Sequence, residues 1–162
     1  TVGGVCSGCG VSPTRIDKVI AAVKAYTTRV GEGPFPTEFK ADFEEEIRAK
    51  GKEFGSTTGR PRRCGWFDGV LVRYAIILNH VDELAIMKLD VLDELKTIKI
   101  CTGYQHKGKL YKEFPYDFEV LQGAQPIYIE MPGWQAPTSG IRKFAKLPVN
   151  ARKYVERLEK IL

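Results

Sequence analysis

The chain has 162 residues, a net charge of +5, 43% hydrophobic and 28% charged residues, the balance of one globular domain or of part of a larger one. No apolar run is long enough to span a bilayer, and the opening Thr1-Val2-Gly3-Gly4-Val5 lacks the basic stretch and hydrophobic core of a secretory signal. Four cysteines do not amount to a disulfide framework in a chain of this size, which predicts a reducing, cytoplasmic setting with no membrane partner.

With no initiator Met and a start that reads like the middle of a glycine-rich loop, the sequence is expected to be a piece of something longer. Ser12-Pro13 reads as an N-cap followed by proline at the first helical position. Ile16, Val19, Ile20 and Val23 fall at helical spacing, predicting a helix from Pro13 to about Ala22. Ala25 to Val30, β-branched and aromatic, reads as a strand. Two glycines and two prolines make Gly31 to Thr37 a rigid irregular loop. Ala41 to Lys50 is predicted to be a charged helix striped by Phe43 and Ile47. Glu44–Arg48 and Glu46–Lys50 are its i,i+4 pairs and Gly51 its stop.

The segment from Gly55 to Asp68 packs Arg60, Arg62 and Arg63 together with Ser56, Thr57 and Thr58 and three glycines. Guanidiniums this close repel one another, and their planar forks suit carboxylates and phosphates. An isolated arginine-rich run is usually a solvated loop. Here the glycines, the hydroxyls and the adjoining Trp66-Phe67 favour an anion-binding loop, with Pro61 stiffening the turn.

Phe67 to Leu78 is the most apolar helix and is expected in the core. Glu83 to Val91 reads as a buried strand with its polar residues at the C-terminal end, where ligands sit in parallel α/β sheets. Thr97 to Tyr104 and Lys109 to Phe114 flank His106-Lys107-Gly108 as an antiparallel hairpin. Pro126 to Met131 is a further strand, Pro132-Gly133-Trp134 opens a loop, and Pro148 to Leu162 closes as a helix packing through Val149, Tyr154, Leu158, Ile161 and Leu162. The pattern is α/β: part of a mostly parallel sheet flanked by helices, with an antiparallel hairpin toward the C-terminal half.

A carboxylate at a strand end, Asp90, could accept from N1–H and the exocyclic amine of guanine together, a pair that adenine does not offer. Lys88, two residues earlier on the same strand face, could lay its stem along the base. Lys-x-Asp alone is more often a surface ion pair; beside an arginine loop at a strand terminus it predicts guanine recognition. Cys6-x-x-Cys9 would need two further ligands for zinc, so small buried or loop cysteines are the preferred reading. His80 and His106 have no neighbouring serine or cysteine arranged for nucleophilic catalysis. Trp66 and Trp134 read as packing residues. Aromatics do not interleave with basic residues as a strand-binding surface needs, so nucleic acid is not predicted as a partner.

Four blocks, Lys24 to Glu38, Gly55 to Asp68, Lys88 to Asp93 and Met131 to Trp134, together resemble the adenylosuccinate synthetase family in motif and order. The resemblance covers nearly the whole chain. It implies a P-loop nucleotide hydrolase-like fold and an enzyme that couples GTP hydrolysis to joining inosine monophosphate (IMP) and L-aspartate into adenylosuccinate. The reaction passes through a 6-phosphoryl intermediate, with magnesium. By matching positions, Ser56, Thr57, Thr58, Gly59, Arg60, Pro61 and Arg62 would form a mobile aspartate loop. Thr57, Thr58 and Arg60 would hold the amino acid, Arg60 would also reach IMP, and Val30 would line the IMP pocket. Arg62 would touch both aspartate and GTP, and Lys88, Leu89 and Asp90 would seat the guanine.

The family's glycine-rich phosphate loop, its catalytic aspartate and histidine and its magnesium contacts have no counterpart in this sequence. The expectation is therefore that residues 1–162 are a single incomplete α/β domain, the C-terminal portion of a larger synthetase. No catalytic acid, base or metal ligand is assigned, and the piece alone is expected not to turn over. The family is typically a cytoplasmic homodimer. The competing expectation is a non-catalytic guanine-nucleotide-binding module.

Overall fold

The computed structural model describes residues 2–162. Thr1, the first residue of the expected opening loop, lies outside them. Val2–Cys9 forms a helix, α1, rather than a loop. Its glycines argue against helix, but the Val2 amide donates to the Asn79 side chain, a tertiary contact that propensity does not register. The expected helix after Ser12 shrinks to one 3-10 turn, Pro13–Arg15. Ile20–Lys24 is instead a strand, β1. A short apolar run suits a buried strand as well as a helix, and here the parallel partner decides.

Thr27–Arg29 is β2, shorter than expected because Ala25 and Tyr26 form a buried bend before it. Gly31 to Thr37 contains no regular element, as the prolines and glycines predict. Ala41–Gly51 is α2. Both expected ion pairs form along it, Glu44–Arg48 at 2.5 Å and Glu46–Lys50 at 2.8 Å. The left-handed residue that ends α2 is Lys52, one beyond the glycine.

Arg63–Gly65 is β3 and Phe67–Asp68 is β4. The apolar helix α3 is Gly69–Asn79, capped by the Asp68 carboxylate accepting from the Leu71 amide. Only its first turn is in the core, with Val70 1% exposed; its far end is not, Ile77 being 77% and Leu78 56% exposed. Glu83–Met87 is β5, not a buried strand: Leu84 and Ile86 are half-buried and the other residues exposed, and Leu89–Leu92 leaves the strand as a 3-10 turn. β6 (Thr97–His106) turns back at Lys107-Gly108 into β7 (Lys109–Tyr111). Both turn residues have positive φ, 47° and 79°, as a two-residue hairpin of this twist requires. α4 (Phe118–Gln122), β8 (Gln125–Pro132) and α5 (Val149–Ile161) complete the chain.

The architecture is α/β. β1 and β5 pair in parallel from Ile20–Glu83 to Lys24–Met87, and β4 runs parallel to β6. β6 is antiparallel to β7 and β8, and β2 is antiparallel to β3. The main core gathers Tyr26, Ile47, Phe67, Leu92, Ile100 and Tyr154 from both halves of the chain. α5 enters it through Ala151, Tyr154 and Leu158; Val149, expected to pack, is 55% exposed. The two tryptophans pack as expected, Trp66 edge-on to Phe39 and Trp134 against Tyr154.

Candidate functional site

β1 and β5 end side by side, Lys24 opposite Met87. In a parallel pair this is the edge at which ligands are held. The arginine loop starts from a buried carboxylate at that edge. The Glu53 side chain is 1% exposed and has three donors: Lys24 Nζ at 2.7 Å, Tyr26 Oη at 2.6 Å and Arg62 Nη1 at 3.0 Å. Its backbone is held as well, the amide on the Arg48 carbonyl and its own carbonyl on the Arg62 amide, each at 2.9 Å. From there residues 54–61 form a small hairpin: Phe54 bridges Pro61, and the Gly55 amide donates to the Arg60 carbonyl at 2.8 Å. Gly59, with φ of 65°, turns the tip. Ser56, Thr57, Thr58, Gly59, Arg60 and Pro61 are all exposed.

The three arginines do not act alike. Arg63 is committed to the fold, forming a two-nitrogen pair with Glu38, donating to the Gly31 and Gly33 carbonyls and lying over the Phe35 ring. Arg62 spends one nitrogen on Glu53. The Arg60 guanidinium has no hydrogen bond or ion pair among the described residues. The expectation that three guanidiniums await one anion is thus corrected. Internal carboxylates pair with two of them, and Arg60 with the free nitrogens of Arg62 is left to meet a ligand.

Lys88 is not on a strand face, because β5 ends at Met87. Lys88 is left-handed, with φ of 61°, and its ammonium donates to the Gly51 carbonyl at 2.8 Å. That bond fastens the end of α2, just before the arginine loop, to the turn that carries Leu89 and Asp90. Leu89 is half-buried against the core and Asp90 is exposed. A cavity of about 400 Å³ opens beside Asp90, walled by Asp93, Glu94 and Gln135 to Pro137. Asp93 fixes that wall, accepting from Trp134 Nε1 at 2.7 Å, the Thr138 amide at 2.8 Å and the Thr138 hydroxyl at 2.7 Å. Val30, 73% exposed, follows β2 where Arg29 pairs with Arg63, beside the point at which the arginine loop enters β3.

The family model of adenylosuccinate synthetase matches residues 1–162, the whole chain. The chain belongs to the adenylosuccinate synthetase family. It is 57% identical over 156 residues to the adenylosuccinate synthetase of Pelotomaculum thermopropionicum, covering 96% of this chain and 36% of that protein. Against the one from Endomicrobium trichonymphae it is 54% identical over 160 residues, covering 99% and 37%. The structure of fully ligated adenylosuccinate synthetase from Plasmodium falciparum superposes with a TM-score of 0.95 at 40% identity, over 100% of this chain and 39% of that one. The chain therefore spans a little over a third of the length of these relatives.

The synthetase motifs converge in space. Lys24 and Tyr26 of the first block, the loop of the second and Lys88 to Asp93 of the third meet at the end of the β1–β5 pair, and Gly133-Trp134 of the fourth abuts Asp93. Sequence reasoning missed Glu53, Asp93 and the Gln135 to Pro137 wall. A lone acidic residue flanking an arginine-rich loop was the one available signal for Glu53.

Cys6 and Cys9 lie on α1 and are free, and Cys64, buried beside Glu53 and Glu44, has its thiol pushed up to about 11, chiefly by burial. His80 caps the end of α3 and His106 ends β6.

The two buried carboxylates carry opposite pH signatures. Burial disfavours the charged form of Glu53, but hydrogen bonds from Lys24, Tyr26 and Arg62 outweigh it and hold the carboxyl below its ordinary value. Such a group contributes stability that is complete above the unfolded-chain pKa and is lost as pH falls through the folded one. Asp68 is pushed up by burial, against the Tyr104 hydroxyl that donates to it at 2.6 Å. Its ionisation costs stability as pH rises through the folded pKa. Glu53→Gln is expected to flatten the acid limb of the stability curve, and Asp68→Asn to remove the decline at higher pH. Chemical denaturation between about pH 3 and pH 7 reads both.

Proposed function

We propose that this chain supplies the aspartate-binding loop and the guanine seat of a GTP-dependent ligase that joins IMP and L-aspartate into adenylosuccinate. The observation that carries the reading is the shared base of the two sites. Glu53 ties the arginine loop to the end of β1, and Lys88 ties α2 to the turn bearing Asp90. Aspartate has two carboxylates, and the exposed loop offers hydroxyls, a free guanidinium and the spare nitrogens of a second one. Thr57, Thr58 and Arg60 hold the amino acid, with Ser56, Gly59 and Pro61 shaping the loop. Arg60 also reaches IMP, beside Val30. Arg62 spans aspartate and GTP, and Lys88, Leu89 and Asp90 receive the base. The loop tip has no apolar anchor, so ligand contacts order it.

The ligase works in the cytoplasm, as a homodimer. Magnesium neutralises phosphate charge in such chemistry. Among the described residues no three His, Cys, Asp or Glu side chains gather as a metal site, and no step here runs through the ion.

Calorimetry on a full-length synthetase carrying this sequence tests the reading. Aspartate should bind in the presence of nucleotide; guanine-nucleotide binding indifferent to aspartate would favour a non-catalytic module instead. Asp90→Asn is expected to cost GTP about 1–3 kcal/mol of its preference over other triphosphates, because the amide presents a donor to a donor. Competition binding with GTP and ATP measures it, and unchanged selectivity removes the guanine assignment.

A further inference from the structure

Two cations sit at the end of β1 and the base of the arginine loop, and one carboxylate serves both. Lys24 Nζ and Arg62 Nη1 both donate to Glu53 Oε2, at 2.7 and 3.0 Å, while Tyr26 Oη holds Oε1 at 2.6 Å. Lys24 Nζ also donates to Thr28 Oγ1 at 3.0 Å. With its side chain 1% exposed, Glu53 has no water to replace these donors. Without its charge, an ammonium and a guanidinium would face each other with no counter-charge between them. With it, the cluster keeps one net positive charge, and the free nitrogens of Arg62 are fixed in direction.

We propose that Glu53 is a positioning residue for the amino-acid substrate: it orients Arg62 so that the free edge of its guanidinium meets a substrate carboxylate, while touching no ligand itself. This rests on the ligase reading above. A buried carboxylate with merely structural duties would set how much protein folds, and so kcat, without altering affinity for one substrate. A positioning carboxylate sets the approach of a single guanidinium, and so the KM of the substrate that Arg62 holds.

The test is steady-state kinetics of a full-length synthetase carrying this sequence, comparing wild type with Glu53→Gln. The KM for L-aspartate should rise about tenfold, the equivalent of one misaligned charge-assisted hydrogen bond, while the KM for IMP stays put. Asp68→Ala, which removes a buried carboxylate bonded to Tyr104 and the Leu71 amide rather than to the arginine loop, should lower Tm and leave the aspartate KM unchanged. If Glu53→Gln fails to fold, Tyr26→Phe removes only the bond to Oε1 and should raise the aspartate KM about threefold. An aspartate KM unmoved in the folded Glu53→Gln enzyme, or in Tyr26→Phe where that variant replaces it, overturns the proposal. Wild-type enzyme that does not use aspartate at all overturns the ligase reading and this inference with it.

Discussion

Arg60→Leu is expected to weaken aspartate binding about a hundredfold, the largest functional effect of any change in the loop. A guanidinium gripping a carboxylate through two nitrogens contributes about 3 kcal/mol, and each 1.4 kcal/mol is a factor of ten. The effect should fall on affinity rather than on folding. The Arg60 side chain is exposed and unpaired among the described residues, whereas its backbone carbonyl closes the loop by accepting from Gly55. Leucine keeps that backbone bond. Arg63→Leu makes the contrast: it breaks the Glu38 pair and two carbonyl contacts, so it should lower Tm and leave aspartate affinity within about threefold of wild type. Calorimetric titration of aspartate in the presence of nucleotide, beside thermal melts of both variants, measures the split.

Gly133→Ala is expected to destabilise the fold by about 3 kcal/mol or more. A Cβ at this position would sit 2.7 Å from the Leu95 carbonyl carbon and inside the van der Waals shell of its oxygen. Both are backbone atoms and cannot swing aside. The Gly133 amide also donates to Lys96 at 2.8 Å and its carbonyl accepts from Asn150 at 2.8 Å, so the segment is gripped on both sides. Relief would require moving Trp134 and with it Gln135, which walls the cavity beside Asp90. The variant should therefore lose guanine-nucleotide affinity along with stability. Gly140→Ala, with nothing within 4 Å of its added carbon, should change neither. Urea denaturation of the chain compares the two.

What the sequence made legible is what neighbouring residues decide. The pairs along α2 are set by i,i+4 spacing, the irregular Gly31 to Thr37 by proline and glycine, and the β6–β7 turn by Lys107-Gly108. The arginine loop was visible from local composition, and the family motifs from their resemblance to the adenylosuccinate synthetases. What stayed hidden depends on partners far along the chain. β1 is a strand because Glu83 to Met87 lies beside it, and α1 begins where Asn79 accepts its first amide. Apolarity in Phe67 to Leu78 pointed to a core, yet Ile77 and Leu78 face outward. Glu53 carries no local mark beyond its place beside the arginine-rich loop, since two of its three donors come 27 and 29 residues before it. The division of labour among the arginines follows from that same distant pairing.

The most direct test is the crystal structure of a full-length synthetase carrying this sequence with a guanine nucleotide and a dicarboxylate bound together. It should place Arg60 nitrogens within about 3.2 Å of a ligand carboxylate and Asp90 oxygens within the same distance of the purine edge. A dicarboxylate lodged elsewhere, with Arg60 still in solvent and Asp90 away from the base, would contradict the account.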